Sequence, residues 1–190
     1  MNLSDLLDAD WARLLSLSQA TFRPRRLWHS FTPRFAPVSL LRCAQCLHSA
    51  RWKRLAKLPA LANFILFGLE VPPRLKIGPG FVIMHTQGTV LGAANIGSNV
   101  TIYHQVTLGA GDIDFTYTLS QRPIVEDGVI IGVGAKVLGG VRLGSGCVIG
   151  ANAVVVKDVP SKHVAVGIPA QNLPPKISRI SDPTAGIKHG

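Results

Sequence analysis

The chain has 190 residues, 47% of them hydrophobic and 16% charged; that length suits one domain with an appendage, and so apolar a composition excludes a disordered chain. The longest apolar stretch, near Leu58–Leu69, is too short for a membrane-spanning helix. The formal net charge is +10, but no nucleic-acid-binding motif accompanies it, so nucleic acid is not an expected partner.

Residues 1–69 read as a basic helical region. The opening MNLSDLLDADWARLL carries three aspartates where a secretory signal would carry positive charge, which points to the cytoplasm. Three cysteines give no paired disulfide framework, in keeping with a reducing compartment. Ser4 is the expected cap of a first helix running to about Gln19, with Leu7, Trp11, Leu14 and Leu15 on one face. Pro24, Pro33 and Pro37 break the next stretch. Val38–Lys57 suits a second helix, Pro59 can open a third, and Gly68 can close it. Between Trp11 and Leu69 stand ten Lys or Arg and no Asp or Glu, interleaved with Trp and Phe. That pattern fits peripheral contact with an anionic membrane at its inner face. It fits equally a helical cap whose charges face water. Cys43-Ala-Gln-Cys46, with His48 nearby, is half of a zinc pattern; a single pair on a helix is a poor ligand signal, and no metal is expected.

From residue 70 a six-residue repeat takes over. Counting from Ile77, one slot is filled by Ile83, Val90, Ile96, Ile102, Leu108, Val125, Ile131, Val137, Leu143, Ile149 and Val155, with one extra residue after Ile83 and one irregular loop after Leu108. Glycine follows the aliphatic residue in half of the units. Aliphatic side chains at this period, with small residues at fixed offsets, specify a parallel β-helix. Each coil takes three units, and the aliphatics stack inside. The expected division is 1–69 helical, 70–172 β-helix with a loop extruded at 110–122, and 173–190 a tail.

The run MHTQGTVLGAANIGSNVTIYHQVTLGAGD, continued by RPIVEDGVIIGVGAKVLGGVRLGSGCVIGANAVVVKDVP, resembles the serine acetyltransferase branch of the hexapeptide-repeat acyltransferases. The short basic N-terminal region looks more like the bacterial exopolysaccharide acetyltransferases of the colanic acid type. The resemblance implies a left-handed coil, a homotrimer, and acetyl-CoA bound as co-substrate in a groove between subunits. It also implies that His85, in the Met84–Gly88 turn, is the general base, with Glu70 holding its imidazole. Positions matching the family's cofactor contacts are Ala110, Val133 and Ala151, with Gly139 nearby and Lys157 and Lys162 in reach of the phosphates.

Transfer of an acetyl group from a thioester to an alcohol needs the hydroxyl proton removed as the oxygen attacks, and imidazole does this near neutral pH. A carboxylate on the other ring nitrogen fixes the tautomer. A donor must also meet the oxyanion, for which a backbone N–H near Gly109–Ala110 is the expected candidate. His104 follows Ile102 by two, as His85 follows Ile83. The two histidines should therefore share an edge one coil apart, roughly 5 Å along the axis, and His104 is a candidate substrate contact. Asp112, in the extruded loop, and Arg122, at its end, are further acceptor candidates.

Three residues, at two places in the chain, depart from the serine enzymes. Met84 stands where the family has Asp, and Gln121-Arg122 where it has Arg-His. A free amino acid needs charge partners at both ends. On that ground the expected acceptor is a sugar hydroxyl in polysaccharide biosynthesis, ahead of free serine, with a non-catalytic trimeric scaffold as a third possibility.

Overall fold

The computed structural model describes residues 1–174. Three helices precede the repeat: α1 (Leu3–Leu17), α2 (Ala36–Ser49) and α3 (Lys57–Phe67). The cap of α1 is Asn2 rather than Ser4. The Asn2 side chain accepts from Asp5 N–H while Asp5 reaches back to Asn2 N–H, a reciprocal box that starts the helix earlier. Leu7, Trp11, Leu14 and Leu15 are buried as the apolar spacing requires. The second helix is shorter than expected. It stops at Ser49, and Arg51, at φ 69°, turns the chain toward α3.

The repeat folds as a parallel β-helix. The first coil is β1 (Leu69–Glu70), β2 (Lys76–Ile77) and β3 (Val82–Ile83); the second is β4 (Thr89–Leu91), β5 (Asn95–Ile96) and β6 (Thr101–Ile102). The third is β7 (Thr107–Gly109), β8 (Ile124–Val125) and β9 (Ile130–Ile131); the fourth is β10 (Lys136–Leu138), β11 (Arg142–Leu143) and β12 (Val148–Ile149). β13 (Val154–Val155) and β14 (Val164–Gly167) complete the last coil, and β15 (Ala170–Leu173) folds back antiparallel on β14. Three faces result: β1-β4-β7-β10-β13, then β2-β5-β8-β11, then β3-β6-β9-β12-β14-β15.

Register confirms the aliphatic ladder on two faces. Ile77, Ile96, Val125 and Leu143 align on the second, and Ile83, Ile102, Ile131 and Ile149 on the third. On the first face one rung differs from the sequence count. Leu91, not Val90, aligns with Leu108 and is fully buried, while Val90 is only half-buried and pairs with Thr107. The added residues lie inside the turn that carries His85: Ile83 is in step with Ile102, yet Gln105 N–H bonds to Gln87 O and Val90 pairs with Thr107, two residues out of step.

That edge carries a column of left-handed turn residues, Gly68, Gly88, Gln105, Gly134 and Asn152, all at φ between 56° and 70°. Gly68 belongs to it because Gly88 N–H bonds to Gly68 O. The residue that ends α3 is thus also the first turn of the coil, a conformation glycine adopts without steric cost.

The open end of the first coil would leave backbone groups unpaired. A buried ion pair meets them. Arg42, from α2, donates to Ile77 O at 2.7 Å and Gly78 O at 2.6 Å, and Asp10, from α1, accepts from Phe81 N–H at 2.8 Å. The two side chains bond to each other through both guanidinium branches. The helical region is therefore a cap packed on the coil. Two of its three aspartates are spent on arginines, Asp10 on Arg42 and Asp8 on Arg25.

Candidate active site

His85 and His104 come together as the count required. Their rings lie edge to face, centroids 5.5 Å apart at 84°. Both sit between a strand of the third face and one of the first, and Val133 and Ala151 continue the same edge above them. The column is visible in the turn hydrogen bonds, Gly134 N–H to His104 O and Asn152 N–H to Val133 O. His85 is exposed, as is Glu70, which faces outward on β1 beside Val90. Among the described residues no hydrogen bond joins Glu70 to His85.

The remaining site candidates lie on a different edge. Ala110, Gly139 and Lys157 follow β7, β10 and β13, at the corner between the first and second faces, where the loop also leaves the coil. Lys162 lies on the third edge, in the turn above Gly146. The residues expected to line one groove thus divide between a histidine edge and a loop edge, separated by the full width of the first face. Cavities of about 620 and 820 Å3 lie against the N-terminal helices, away from His85. Among the described residues the convex histidine edge has no opposite wall within its own chain.

The loop is held by its own residues. Asp114 accepts from Thr116 N–H, Thr118 N–H and two nitrogens of Arg122. Burial alone would raise its carboxyl, but the hydrogen bonds from Thr116, Arg122 and Thr118, with the charge of Arg122, outweigh it and hold the pKa at about 2. Arg122 also donates to Gly92 O at 3.0 Å, and its guanidinium lies 3.7 Å from the centre of the Tyr117 ring. Tyr117 carries Arg74 at 4.4 Å and donates to Ala93 O at 2.9 Å. The loop leaves the third coil, is fastened to the second at Gly92 and Ala93, and meets Arg74 in the first. It therefore descends to the level of His85.

This places Arg122 inside the loop's own clasp, buried and fully engaged, rather than in an open groove. Asp112 is exposed and accepts from Ile113 N–H. The sequence reading missed Tyr117 and Arg74. The signal present was Asp114 followed by Thr116 and Thr118, a pattern that favours side-chain-to-backbone turns.

Two positions fit a ligand's close approach. Gly139 has φ 90°, a conformation strained for any side chain, yet the space where a Cβ would stand is open to 4 Å. Lys157 lines a cavity of about 240 Å3 with Val155, Val156 and residues 169–172. Both suit a backbone-contacting chain that ends in phosphates.

Comparison with known proteins decides the family. Residues 122–157 match the bacterial transferase hexapeptide family of six repeats. The serine acetyltransferase of Helicobacter pylori (strain ATCC 700392 / 26695) is 42% identical over 134 residues, covering 70% of this chain and 76% of that one. The chain belongs to the serine acetyltransferase family. The Mycobacterium tuberculosis member (strain ATCC 25618 / H37Rv) is 47% identical over 125 residues; the match covers 63% of this chain but only 53% of that one, so the chain spans about half of that relative's length. A solved serine acetyltransferase in complex with CoA superposes with a TM-score of 0.76 at 30% identity, covering 90% of this chain and 69% of that one. The fold is accordingly the left-handed parallel β-helix of this acyltransferase family.

These relatives overturn the expected sugar acceptor and its place in polysaccharide biosynthesis. That expectation rested on Met84 and Gln121 lacking the charges a free amino acid needs. Relatives up to 47% identical bear the serine enzyme's name, and none of the reported relatives bears a polysaccharide enzyme's.

Proposed function

We propose that this protein transfers the acetyl group of acetyl-CoA to the hydroxyl of serine. The observation that carries the reading is the exposed His85 in its widened turn, edge to face with His104 one coil on, along the edge that continues through Val133 and Ala151. In this reading a ring nitrogen of His85 takes the serine hydroxyl proton while the oxygen attacks the thioester carbonyl carbon. Glu70 turns to the other ring nitrogen once substrate excludes water, fixing the tautomer. The proton on His85 then passes to the departing CoA sulfur.

The assembly belongs to the same proposal. In a threefold homotrimer the loop edge of one chain lies beside the histidine edge of the next, which supplies the wall a single chain lacks. Acetyl-CoA then runs between them, its pantetheine amides against backbone at Ala110, Gly139, Val133 and Ala151, and its phosphates near Lys157. Asp112 faces the acceptor from the loop. We place the reaction in the cytoplasm.

The resemblance of the N-terminal region to exopolysaccharide enzymes is kept for its layout alone. A peripheral membrane contact is supported there by the exposed Leu58, Leu61, Phe64, Ile65 and Leu66 of α3 with Lys53, Arg54 and Lys57 close in sequence. Co-flotation with anionic vesicles at low salt tests it; protein left in the soluble fraction refutes it.

Purified protein with acetyl-CoA and serine should release thiol only when both are present, with O-acetylserine as the product by mass spectrometry. Absence of serine-dependent thiol release would leave a non-catalytic scaffold.

A further inference from the structure

The acetyl-transfer reading assigns the proton to His85, and the backbone donor named so far for the oxyanion reaches this edge only from the neighbouring chain. The backbone N–H groups near Gly109–Ala110 lie on the loop edge of the same chain, a full face away. His104 stands in the right place, and its surroundings decide which of its nitrogens carries hydrogen.

Nδ1 of His104 is enclosed and has no hydrogen-bond partner among the described residues. Nε2 is not among the enclosed unpaired atoms, and none of the described residues bonds to it, so it faces the open side of the edge. In a neutral imidazole one nitrogen donates and the other accepts. A buried N–H with no acceptor forfeits a full hydrogen bond, and orphaned donors are rarer in proteins than under-used acceptors. The proton therefore belongs on Nε2, and the enclosed Nδ1 is the bare nitrogen.

The turn around that donor is pinned. His104 O accepts from Gly134 N–H at 3.0 Å. Lys136 Nζ donates to Gln105 O at 2.6 Å and to Gly134 O at 2.9 Å. An N–H held before the reaction begins needs no reorganisation as charge develops, which is what makes such donors effective.

We propose that His104 Nε2–H donates to the thioester carbonyl oxygen of acetyl-CoA. Two imidazoles on successive coils then divide the step. The serine oxygen bonds to the carbonyl carbon as a ring nitrogen of His85 takes its proton. The carbonyl π electrons move to oxygen and are met by His104 Nε2–H. When the tetrahedral species collapses, they re-form the carbonyl, the C–S bond breaks, and the sulfur takes the proton from His85. The proposal rests on the acetyl-transfer reading.

Two measurements test it. Long-range 1H–15N correlation of histidine-labelled protein, recorded near neutral pH without substrates, should show His104 as the Nε2–H tautomer; the Nδ1–H tautomer overturns the proposal. In steady-state kinetics His104→Ala should lower kcat about 10²–10³-fold, the loss typical of one oxyanion donor. The KM for acetyl-CoA and for serine should stay within a few-fold, and the pH profile should keep its acid limb. His104→Gln retains an N–H and should recover much of the rate, and it remains informative if the alanine variant fails to fold. A His104→Ala enzyme with near wild-type kcat, or one whose acid limb has moved, overturns the proposal while leaving the transfer reading intact. Wild-type protein that releases no thiol with serine overturns both.

Discussion

At the residue scale the proposed base is an imidazole in a turn two residues longer than its neighbours. A general base contributes ~10²–10⁴ in rate, so His85→Gln should lower kcat by that factor while the oligomer's mass is unchanged. A variant that keeps wild-type turnover would remove His85 from its role. The three thiols differ for a separate physical reason. Cys147 is wholly enclosed in the coil, and burial, with the nearby charge of Glu126, pushes its thiol up to about 12. Cys46 is exposed. Because the thiolate is the reactive form, a disulfide reagent should titrate Cys46 in native protein and reach Cys147 only after unfolding. Rapid labelling of Cys147 in the folded state would contradict that packing.

At the element scale two clasps hold the ends of the architecture, and each has its own test. The Asp10–Arg42 pair joins both helices to the backbone of the first coil. Removing one partner leaves a buried charge, at a cost of about 3–5 kcal/mol. Arg42→Met should therefore lower the unfolding free energy by that amount in denaturant titration, and Asp10→Leu with Arg42→Met should recover part of it. No loss in the single variant would mean that the pair is not buried in solution. The loop clasp carries a pH signature. The folded pKa of Asp114, about 2, is below the ordinary carboxylate value of about 3.9. Its contribution is thus complete above about pH 4 and is lost as pH falls towards 2. At neutral pH Phe115, 97% exposed at the loop tip, should resist chymotrypsin in the wild type. Asp114→Asn should be cleaved there about tenfold faster, because local opening sets the rate. Equal cleavage rates would show that Asp114 does not order the loop.

Much of this was legible in the chain, and the exceptions have physical reasons. A strict period registers only positions that stack, so Ile83, Ile102, Ile131 and Ile149 placed a face and carried the two histidines to one edge. The count failed at Val90 because the one extra residue between Ile83 and Ile96 is a net figure: two residues are added before Leu91 and one is lost after it. The backbone bond from Gln105 to Gln87 places the added pair within the turn of His85. Ser4 lost the cap of α1 to Asn2 because the reciprocal bond from Asp5 favours the earlier start. The loop clasp joins Arg74, Tyr117 and Arg122 across three coils, and no local pattern announces such a contact. The acceptor was misread for a related reason. Met84 and Gln121 are two positions in the chain, whereas the relatives' names rest on similarity over more than a hundred residues.

At the scale of the whole molecule the candidate residues divide between two edges of the coil, and in the proposed homotrimer they meet only at the seam between two subunits. Mixed trimers test this directly. His85→Ala removes the base from the histidine edge, and deletion of residues 112–118 removes the loop from the other. Each alone should be inactive with serine. In trimers formed from equal amounts of the two, each seam needs an intact histidine edge facing an intact loop edge, so about a quarter of the wild-type activity should return. If the mixed trimers stay as inactive as their parents, while wild-type and variant chains are shown to exchange, the shared site is wrong.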